Sequence, residues 1–223
     1  MTTAFPAPPV PAAPATKSAG RPRACELEAR HNNLIQTAGE LMLKHGYSKV
    51  SLETIAREAH VAVRTIYVKF GGKAGLFQAV LLANRSRFFT ASAVESDMRP
   101  LKQAISEFSL QFFDMISAPE ALSMQRMVVA EAASNPELST SFYEAGPRQT
   151  REMLLRYFAR ADVRAQLRED LALELIPTFL LNCVQGEYFG RFLFQPVAQA
   201  REDVVTALEQ RLDLFYRSVL RAP

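Results

Sequence analysis

The segment TIYVKFGGKAGLFQAVLL (residues 65–82) places cations and hydroxyl groups beside apolar residues that recur at helical spacing. Ile66 and Phe70 share one side of a short helix, and polar or small side chains fill the other side. Lysine, threonine and tyrosine suit phosphate groups, arginine pairs with guanine, and valine meets the methyl group of thymine. The pattern predicts a helix that docks on its own domain and faces a nucleic acid. The outer side chains that we expect are Val63, Arg64, Thr65, Tyr67, Val68, Lys69 and, beyond two glycines, Lys73.

Further helices are needed to hold this short helix in place. The predicted helices of the N-terminal region cover about residues 26–45, 52–59, 63–70 and 73–90. Gly46 ends the first helix, and Ser51 is placed to cap the second. A turn at 60–62 separates the two short helices, and Gly71-Gly72 ends the second of them. Two short helices braced by a longer one predict a helix-turn-helix, whose second helix enters the major groove.

The distribution of charge supports a polyanionic partner for this region. Residues 1–90 carry 12 Lys and Arg against 5 Asp and Glu, whereas residues 91–223 carry 14 against 18. The net charge of +3 therefore divides into +7 and −4. A basic first part joined to an acidic second part indicates a nucleic-acid contact or, as the alternative, a solvated basic face without a partner.

The remainder of the chain shows apolar stripes of helical period and no alternating strand pattern. We expect an all-α fold with a disordered, Pro/Ala-rich and basic tail (1–24), the helix-turn-helix domain (25–90) and a second helical domain (91–223). The predicted helices of the second domain cover residues 98–117, 120–133, 137–160, 171–194 and 198–220. Pro147 and Pro177 lie inside two of them, and each either kinks or splits its helix.

Motifs and composition argue against an enzyme and against a membrane protein. No run of about 18 uncharged apolar residues occurs, so no membrane span is expected. Cys25 and Cys183 make no disulfide framework, which favours a reduced, cytoplasmic setting. Cys183 is then either a small buried residue or a redox-sensitive thiol. The sequence lacks metal-ligand, phosphate-loop and nucleophile motifs, so we expect no catalytic residue, no metal and no cofactor.

A set of spaced residues between about 27 and 87 matches a known pattern. The set comprises residues 34–38, Gly46, Tyr47, Ser51, Ile55, Ala56, Thr65, Ile66, Tyr67, Phe70, Lys73, Leu76 and Phe77. It resembles the DNA-binding domain of the TetR family of bacterial repressors. The resemblance implies a homodimer with two DNA-binding heads on a palindromic operator, with half-sites about one helical turn apart or somewhat more. It also implies a C-terminal domain that binds a small hydrophobic effector, and release of the operator on binding.

The resemblance assigns roles to single positions. It implies phosphate or groove contacts at Ser51, Thr65, Tyr67, Lys69 and Lys73, and variable base contacts at Val63 and Arg64. The sequence departs from the family pattern at three positions. His60 replaces the usual glycine of the turn, Ala62 replaces a serine cap, and Gly72 replaces a polar cap before Lys73. Loss of a serine cap costs about 1 kcal/mol, so the recognition helix is expected to be less ordered in free protein.

The second domain, around residues 124–147, resembles the regulatory domain of the AefR-like subgroup, which hints at efflux or quorum-related target genes. Methionines and aromatics suit an adaptable apolar pocket, although each is also suited to plain core. The residues that we expect to line a ligand cavity are Phe108, Phe112, Met115, Met124, Met127, Met153, Tyr157 and Phe179. Asn182, Gln185 and Glu187 either orient a ligand or face solvent or a partner subunit.

Two further sites follow from spacing and from the tail. Gly186 and Gly190 lie four residues apart, so they are expected to share a helix face that another helix approaches closely. In the family the last two helices form the dimer interface, and the alternative is packing within one subunit. Arg21 and Arg23 suit a minor-groove arm, with a solubilising tail as the alternative. An activator, a regulator without a ligand, and an all-α protein–protein adaptor remain alternative functions.

Overall fold

The computed structural model describes residues 24–88, 94–194 and 200–221, and within them the chain is helical and forms no sheet. The helices are α1 (Ala24–His45), α2 (Leu52–Glu58), α3 (Val63–Phe70), α4 (Lys73–Ser86), α5 (Leu101–Ser117), α6 (Pro119–Glu131), α7 (Pro136–Tyr143), α8 (Gln149–Ala159), α9 (Ala161–Arg164), α10 (Ile176–Phe194) and α11 (Arg201–Val219). The all-α prediction is therefore confirmed. No described helix has the length and apolar character needed to cross a membrane.

Helices α1–α4 form the head of the molecule around one apolar cluster. The predicted stripe on α1 is buried at Leu34, Ile35, Ala38 and Met42, whereas Leu27 near its start is 47% exposed. Tyr47 packs edge-on against Phe77 of α4 with 5.7 Å between ring centroids. Met124 and Val128 of α6 and Leu138 of α7 belong to the same cluster. The head core therefore continues into helices beyond residue 90, because α6 and α7 cover the sides of α1 and α4.

Helices α5, α8, α10 and α11 form the body around a second cluster. Phe108 and Phe112 of α5 stack at 5.7 Å, and Phe158 of α8 packs near Phe215 of α11 at 6.4 Å. The predicted helix ends agree to within a few residues except at 171–194. There a short 3₁₀ turn (Leu173–Leu175) precedes α10, which begins at Ile176.

Pro147 and Pro177, which were each predicted to kink or split a helix, neither split nor sharply end one. Pro147 lies in a π turn (Glu144–Arg148) that joins α7 to α8 without interruption. A wider π turn accommodates a residue that lacks an N–H, and such turns occur often at functional sites. Pro177 is the second residue of α10, where a missing N–H leaves no helical bond unmade.

Helix α10 is interrupted at Gly186, whose φ of 49° and ψ of −160° are not helical. Arg211 of α11 fills the break, with Nε donating to the carbonyl of Cys183 at 2.6 Å and Nη2 to that of Val184 at 3.4 Å. The prediction that Gly186 and Gly190 share one continuous helix face is therefore wrong. Gly186 contacts Arg211 of its own chain, whereas a side chain at Gly190 would meet no atom within 4 Å, and the interface role of both glycines stays a prediction.

Candidate nucleic-acid interface and ligand cavity

Helix α3 turns one side to the head core and the other to solvent. Ile66 is fully buried, and Phe70 stacks on His31 of α1 at 5.4 Å. On the opposite side Tyr67 is 56% and Val68 is 74% exposed. Arg64 and Lys69 are exposed beside them, which places two cations, a phenol and an apolar side chain on one surface. These groups suit phosphates and base edges, so the geometry agrees with the predicted recognition face.

Ser51 holds the start of α2. Its hydroxyl oxygen accepts from the backbone N–H of Thr54 at 3.1 Å, which is the bond that an N-cap makes. The hydroxyl is also exposed, so the predicted phosphate contact is sterically open. Thr65 and Val63 are only partly exposed, and Val63 packs against the head core.

The turn between α2 and α3 is strained at one residue. His60 has a φ of +55°, in the left-handed region that favours glycine. The bond from Val61 N–H to the carbonyl of Ala56 at 2.9 Å closes the turn around it. Ala62 stands at the N-cap of α3 and makes no side-chain cap bond. Two of the three departures from the family pattern, at His60 and Ala62, therefore have a structural counterpart.

The side chain of Lys73 contacts Tyr47, another residue of the head. Its ammonium lies 4.3 Å from the centre of the Tyr47 ring, and burial lowers its pKa against the opposing attraction of Glu131 and Glu137. A role in phosphate binding at Lys73 stays a prediction. The turn that joins α3 to α4 depends on Gly75 as well as Gly71 and Gly72, because a Cβ at Gly75 would overlap the carbonyl oxygen of Phe70.

A polar contact beside Lys73 joins the head to α6, which lies outside the first four helices. The carboxylate of Glu131 on α6 accepts from the backbone N–H of Ser48 at 2.9 Å and from its hydroxyl. The amide of Asn135 donates to the Ser48 hydroxyl at 2.8 Å. Although burial opposes ionisation, the bonds from Ser48 outweigh it and lower the pKa of Glu131. No sequence signal predicts this contact, since 83 residues separate its partners.

Tyr47 adds a second link across the same boundary. Its hydroxyl donates to the carboxylate of Glu137 on α7 at 3.4 Å. Burial and the nearby charge of Glu137 raise the pKa of the phenol, so it stays protonated and keeps donating at neutral pH.

A cavity of about 350 Å³ lies between α4, α5, α6, α10 and the π turn. Three of the predicted lining residues, Phe112, Met115 and Met124, border it. The other walls comprise Leu81, Asn84, Arg85, Arg87, Phe88, Ile116, Ala118, Glu120, Ala121, Gln125, Phe142, Ala145, Gly146, Pro147, Thr150, Leu181, Gln185 and Phe189. Gln185 was one of the polar residues that the sequence singled out.

The other predicted cavity residues do not border this space. Phe108, Met153 and Tyr157 are buried in the body core, and Met127 packs against the head core. Phe179 is 41% exposed and packs on Phe215 at 5.4 Å. A 3–4 stripe marks the buried side of a helix but does not distinguish filled core from cavity wall, so sequence reasoning could not separate these two groups.

Arg85 is the cavity residue with the most informative contacts. Its Nη1 donates to the Thr150 hydroxyl at 2.7 Å and to the carbonyl of Gly146 at 3.5 Å. Its Nη2 approaches the sulfur of Met153 at 3.8 Å. Burial lowers the pKa of this guanidinium, although arginine remains cationic at any ordinary pH. A cation of α4 is thereby connected to the π turn and to α8.

Arg21 and Arg23 lie outside the described residues. Cys183 is partly buried, and burial raises the pKa of its thiol against the opposing charge of Arg211. Within the described chain, no three His, Cys, Asp or Glu side chains converge as metal ligands.

Two family models match the chain in separate parts. Residues 34–80 match the model described as bacterial regulatory proteins of the tetR family, and residues 103–218 match the C-terminal domain of AefR-like transcriptional repressors. No curated protein matches the sequence.

Solved structures share the fold at low sequence identity. The flavonoid-responsive regulator FrrA is 22% identical with a TM-score of 0.69, over 88% of this chain and 100% of FrrA. A TetR transcriptional regulator from Agrobacterium tumefaciens is 19% identical with a TM-score of 0.67, over 86% of this chain and 94% of its own. NalD of Pseudomonas aeruginosa, the secondary repressor of the MexAB-OprM multidrug efflux pump, is 20% identical with a TM-score of 0.59, over 88% and 100%. Together the two family models cover most of the head and of the body. This chain belongs to the TetR family of bacterial transcriptional regulators.

Proposed function

We propose that this regulator is a ligand-released repressor that binds a palindromic operator as a cytoplasmic homodimer. The observation that carries the proposal is the double role of α4. Leu76, Phe77 and Val80 of this helix are buried in the head core, whereas Leu81 and Arg85 border the cavity. A molecule in the cavity therefore contacts the same helix that supports the recognition helix.

The exposed side of α3 supports the proposed binding to DNA. Arg64, Tyr67, Val68 and Lys69 extend from a helix whose other side is fixed by Ile66 in the core. Such a helix can insert into a major groove without rearrangement of its own domain. A twofold axis between two heads then requires operator half-sites about one helical turn apart or somewhat more.

The last two helices support the homodimer. Phe179 of α10 is 41% exposed and Leu214 of α11 is 62% exposed, and both helices pack together as one layer of the body. Exposed apolar side chains on packed outer helices suit an interface with a second copy. Gly190, which has open space around its Cα, stays a predicted interface residue on the same helix.

Release of DNA requires that the ligand prefers one arrangement of the head over another. A ligand shifts such an equilibrium only by its difference in affinity for the two states. Residues of α4 and of the π turn both line the cavity and are joined by Arg85, so a change in their spacing alters the cavity and the position of α4 together. We propose that such a change is the source of the difference in affinity.

Two structurally similar proteins suggest a class of ligand and a class of target. FrrA is named as flavonoid-responsive and NalD as a repressor of an efflux pump. We propose an apolar effector that fits about 350 Å³ and a target operon for export or for a quorum-related process. Genes beside the coding sequence are the first candidates for this operon.

The experiment is a salt titration of binding to the DNA upstream of the gene, followed by fluorescence anisotropy. Lys69→Ala is expected to weaken binding and to reduce the slope of log K against log [salt] by about 0.9, the value for one lost phosphate contact. Arg168→Ala is the matched control, because it removes one exposed cation from the body. Unchanged affinity and slope in Lys69→Ala and in Tyr67→Ala would contradict the assignment of α3.

A further inference from the structure

The charged residues at the cavity wall differ in their exposure. Arg87 and Glu120 are exposed, whereas Arg85 is half-buried where α4 meets the π turn. The space beside Arg85 is mainly apolar, with Phe112, Ile116 and other carbon-rich side chains around it. A half-buried cation in an apolar cavity provides a strong interaction for an anionic group, because the surroundings screen charge less than water does.

We propose that the effector has an apolar body and an acidic group, and that Arg85 binds the acidic group. The inference rests on the proposed function of the cavity and adds the chemical class of the ligand. Guanidinium presents several donors in one plane, which matches the two oxygens of a carboxylate or the oxygens of a sulfonate. An apolar body fills the rest of the cavity by contact with its aromatic and aliphatic walls.

Three of the acceptors that Arg85 contacts can be exchanged for an acidic group of the ligand. Thr150 hydroxyl, Gly146 carbonyl and Met153 sulfur are neutral acceptors. An anionic oxygen accepts a shorter and stronger hydrogen bond than neutral groups do. A ligand with an acidic group therefore competes with these residues for the guanidinium.

The exchange also gives the ligand a connection to the head. Arg85 lies in the last turn of α4, and its bonds to Thr150 and Gly146 link α4 to α8 and the π turn. When an anion takes the guanidinium, this link weakens. Ligand binding and the position of α4 are then coupled through one side chain, as release of DNA requires.

Two fluorescent probes with the same rings test the proposal. 8-Anilino-1-naphthalenesulfonate carries a sulfonate, and N-phenyl-1-naphthylamine lacks it. Both are titrated into the full-length wild-type protein and into Arg85→Met. Arg85→Met is expected to weaken binding of the sulfonate about tenfold, as for a lost charge-assisted bond. Its affinity for the neutral probe is expected to change less than about twofold, because methionine keeps the apolar stem.

Three controls make the result specific. Arg87→Met removes the exposed cation from the same wall and is expected to leave both affinities unchanged. Arg85→Lys keeps the positive charge and is expected to retain most of the sulfonate affinity. Arg85→Gln, which removes the charge but keeps a polar end, replaces Arg85→Met if that variant does not fold. Ala121→Phe fills part of the cavity and is expected to weaken both probes, which places them in the cavity.

The outcomes separate this inference from the proposed function. An equal loss of both probes in Arg85→Met, or no loss of either, overturns the role of Arg85 while the cavity remains a ligand site. Failure of both probes to bind wild-type protein, or binding that Ala121→Phe does not affect, overturns the ligand cavity itself and this inference with it. Operator release by the sulfonate probe in wild-type protein, absent in Arg85→Met, confirms the coupling.

Discussion

Replacement of Gly186 by alanine tests how α10 is held to α11. The backbone at this position has a φ of 49° and a ψ of −160°, a region that is open almost only to glycine. Forcing another residue into such a region costs on the order of 1–3 kcal/mol. A Cβ there would also lie 2.8 Å from the Cζ of Arg211, so the guanidinium must move.

The movement of Arg211 adds a second cost. Its Nε donates to the carbonyl of Cys183 at 2.6 Å, and a hydrogen bond from a charged donor contributes about 1.5–3 kcal/mol. Arg211 is only partly buried, which favours the lower end of that range. We expect Gly186→Ala to lower the free energy of unfolding by about 3 kcal/mol, and Tm by about 6–12 °C for a chain of this size.

The assay is thermal and urea-induced unfolding followed by circular dichroism. Gly190→Ala is the matched control, because its Cβ meets nothing within 4 Å and alanine favours helix. Each protein is measured at two concentrations tenfold apart, which separates loss of a dimer contact from loss of stability within the subunit. In an Arg211→Ala background the guanidinium is absent, so Gly186→Ala is expected to cost only the backbone strain of about 1–3 kcal/mol and none of the loss of the Arg211 hydrogen bond. An effect of Gly186→Ala below about 0.5 kcal/mol would refute the whole account of the break.

Three other changes have defined outcomes. His60→Gly should raise the free energy of unfolding, measured in urea, by about 0.5–1 kcal/mol. It removes the cost of about 1–2 kcal/mol of a left-handed non-glycine residue, but the greater freedom of glycine in the unfolded chain offsets part of this gain. A decrease in the free energy of unfolding would contradict the strained turn. Glu131→Gln should cost about 1 kcal/mol at pH 7 by weakening the bonds from Ser48. The lowered pKa of Glu131 gives a stabilisation that is complete above its unfolded value of about 4.3 and lost as pH falls through the folded value. The stability curves of wild type and variant should therefore converge in acid, and parallel curves would exclude the contact. Gly75→Ala should lower the free energy of unfolding by about 1–3 kcal/mol, because the added Cβ overlaps the Phe70 carbonyl. An increase in Tm would show that α3 and α4 do not approach closely at this turn.

The head could be predicted from sequence because its signals are local. The stripe on α1, the glycine that ends it and the Ser51 cap each depend on residues within a few positions of one another, and the structure shows all three. His60 is marked only by the family resemblance, which has glycine at this position, and its left-handed backbone gives the physical reason for that glycine.

The contacts between elements could not be predicted in this way. Ser48 and Glu131 lie 83 residues apart, and neither is unusual for a surface position. Gly186 matched a spacing that usually marks close helix packing, but the break depends on Arg211 from another helix. The cavity wall and the filled core use the same apolar residue types, so Met124 and Met153 could be distinguished only by their packing.

The continuous apolar cluster beneath the head limits how this protein can be divided. Met124, Val128 and Leu138 complete a core that otherwise belongs to α1–α4, so a fragment ending near residue 90 would leave that core open to water. A chimera that transplants this head onto another regulator must therefore carry matching side chains on the two recipient helices beneath it.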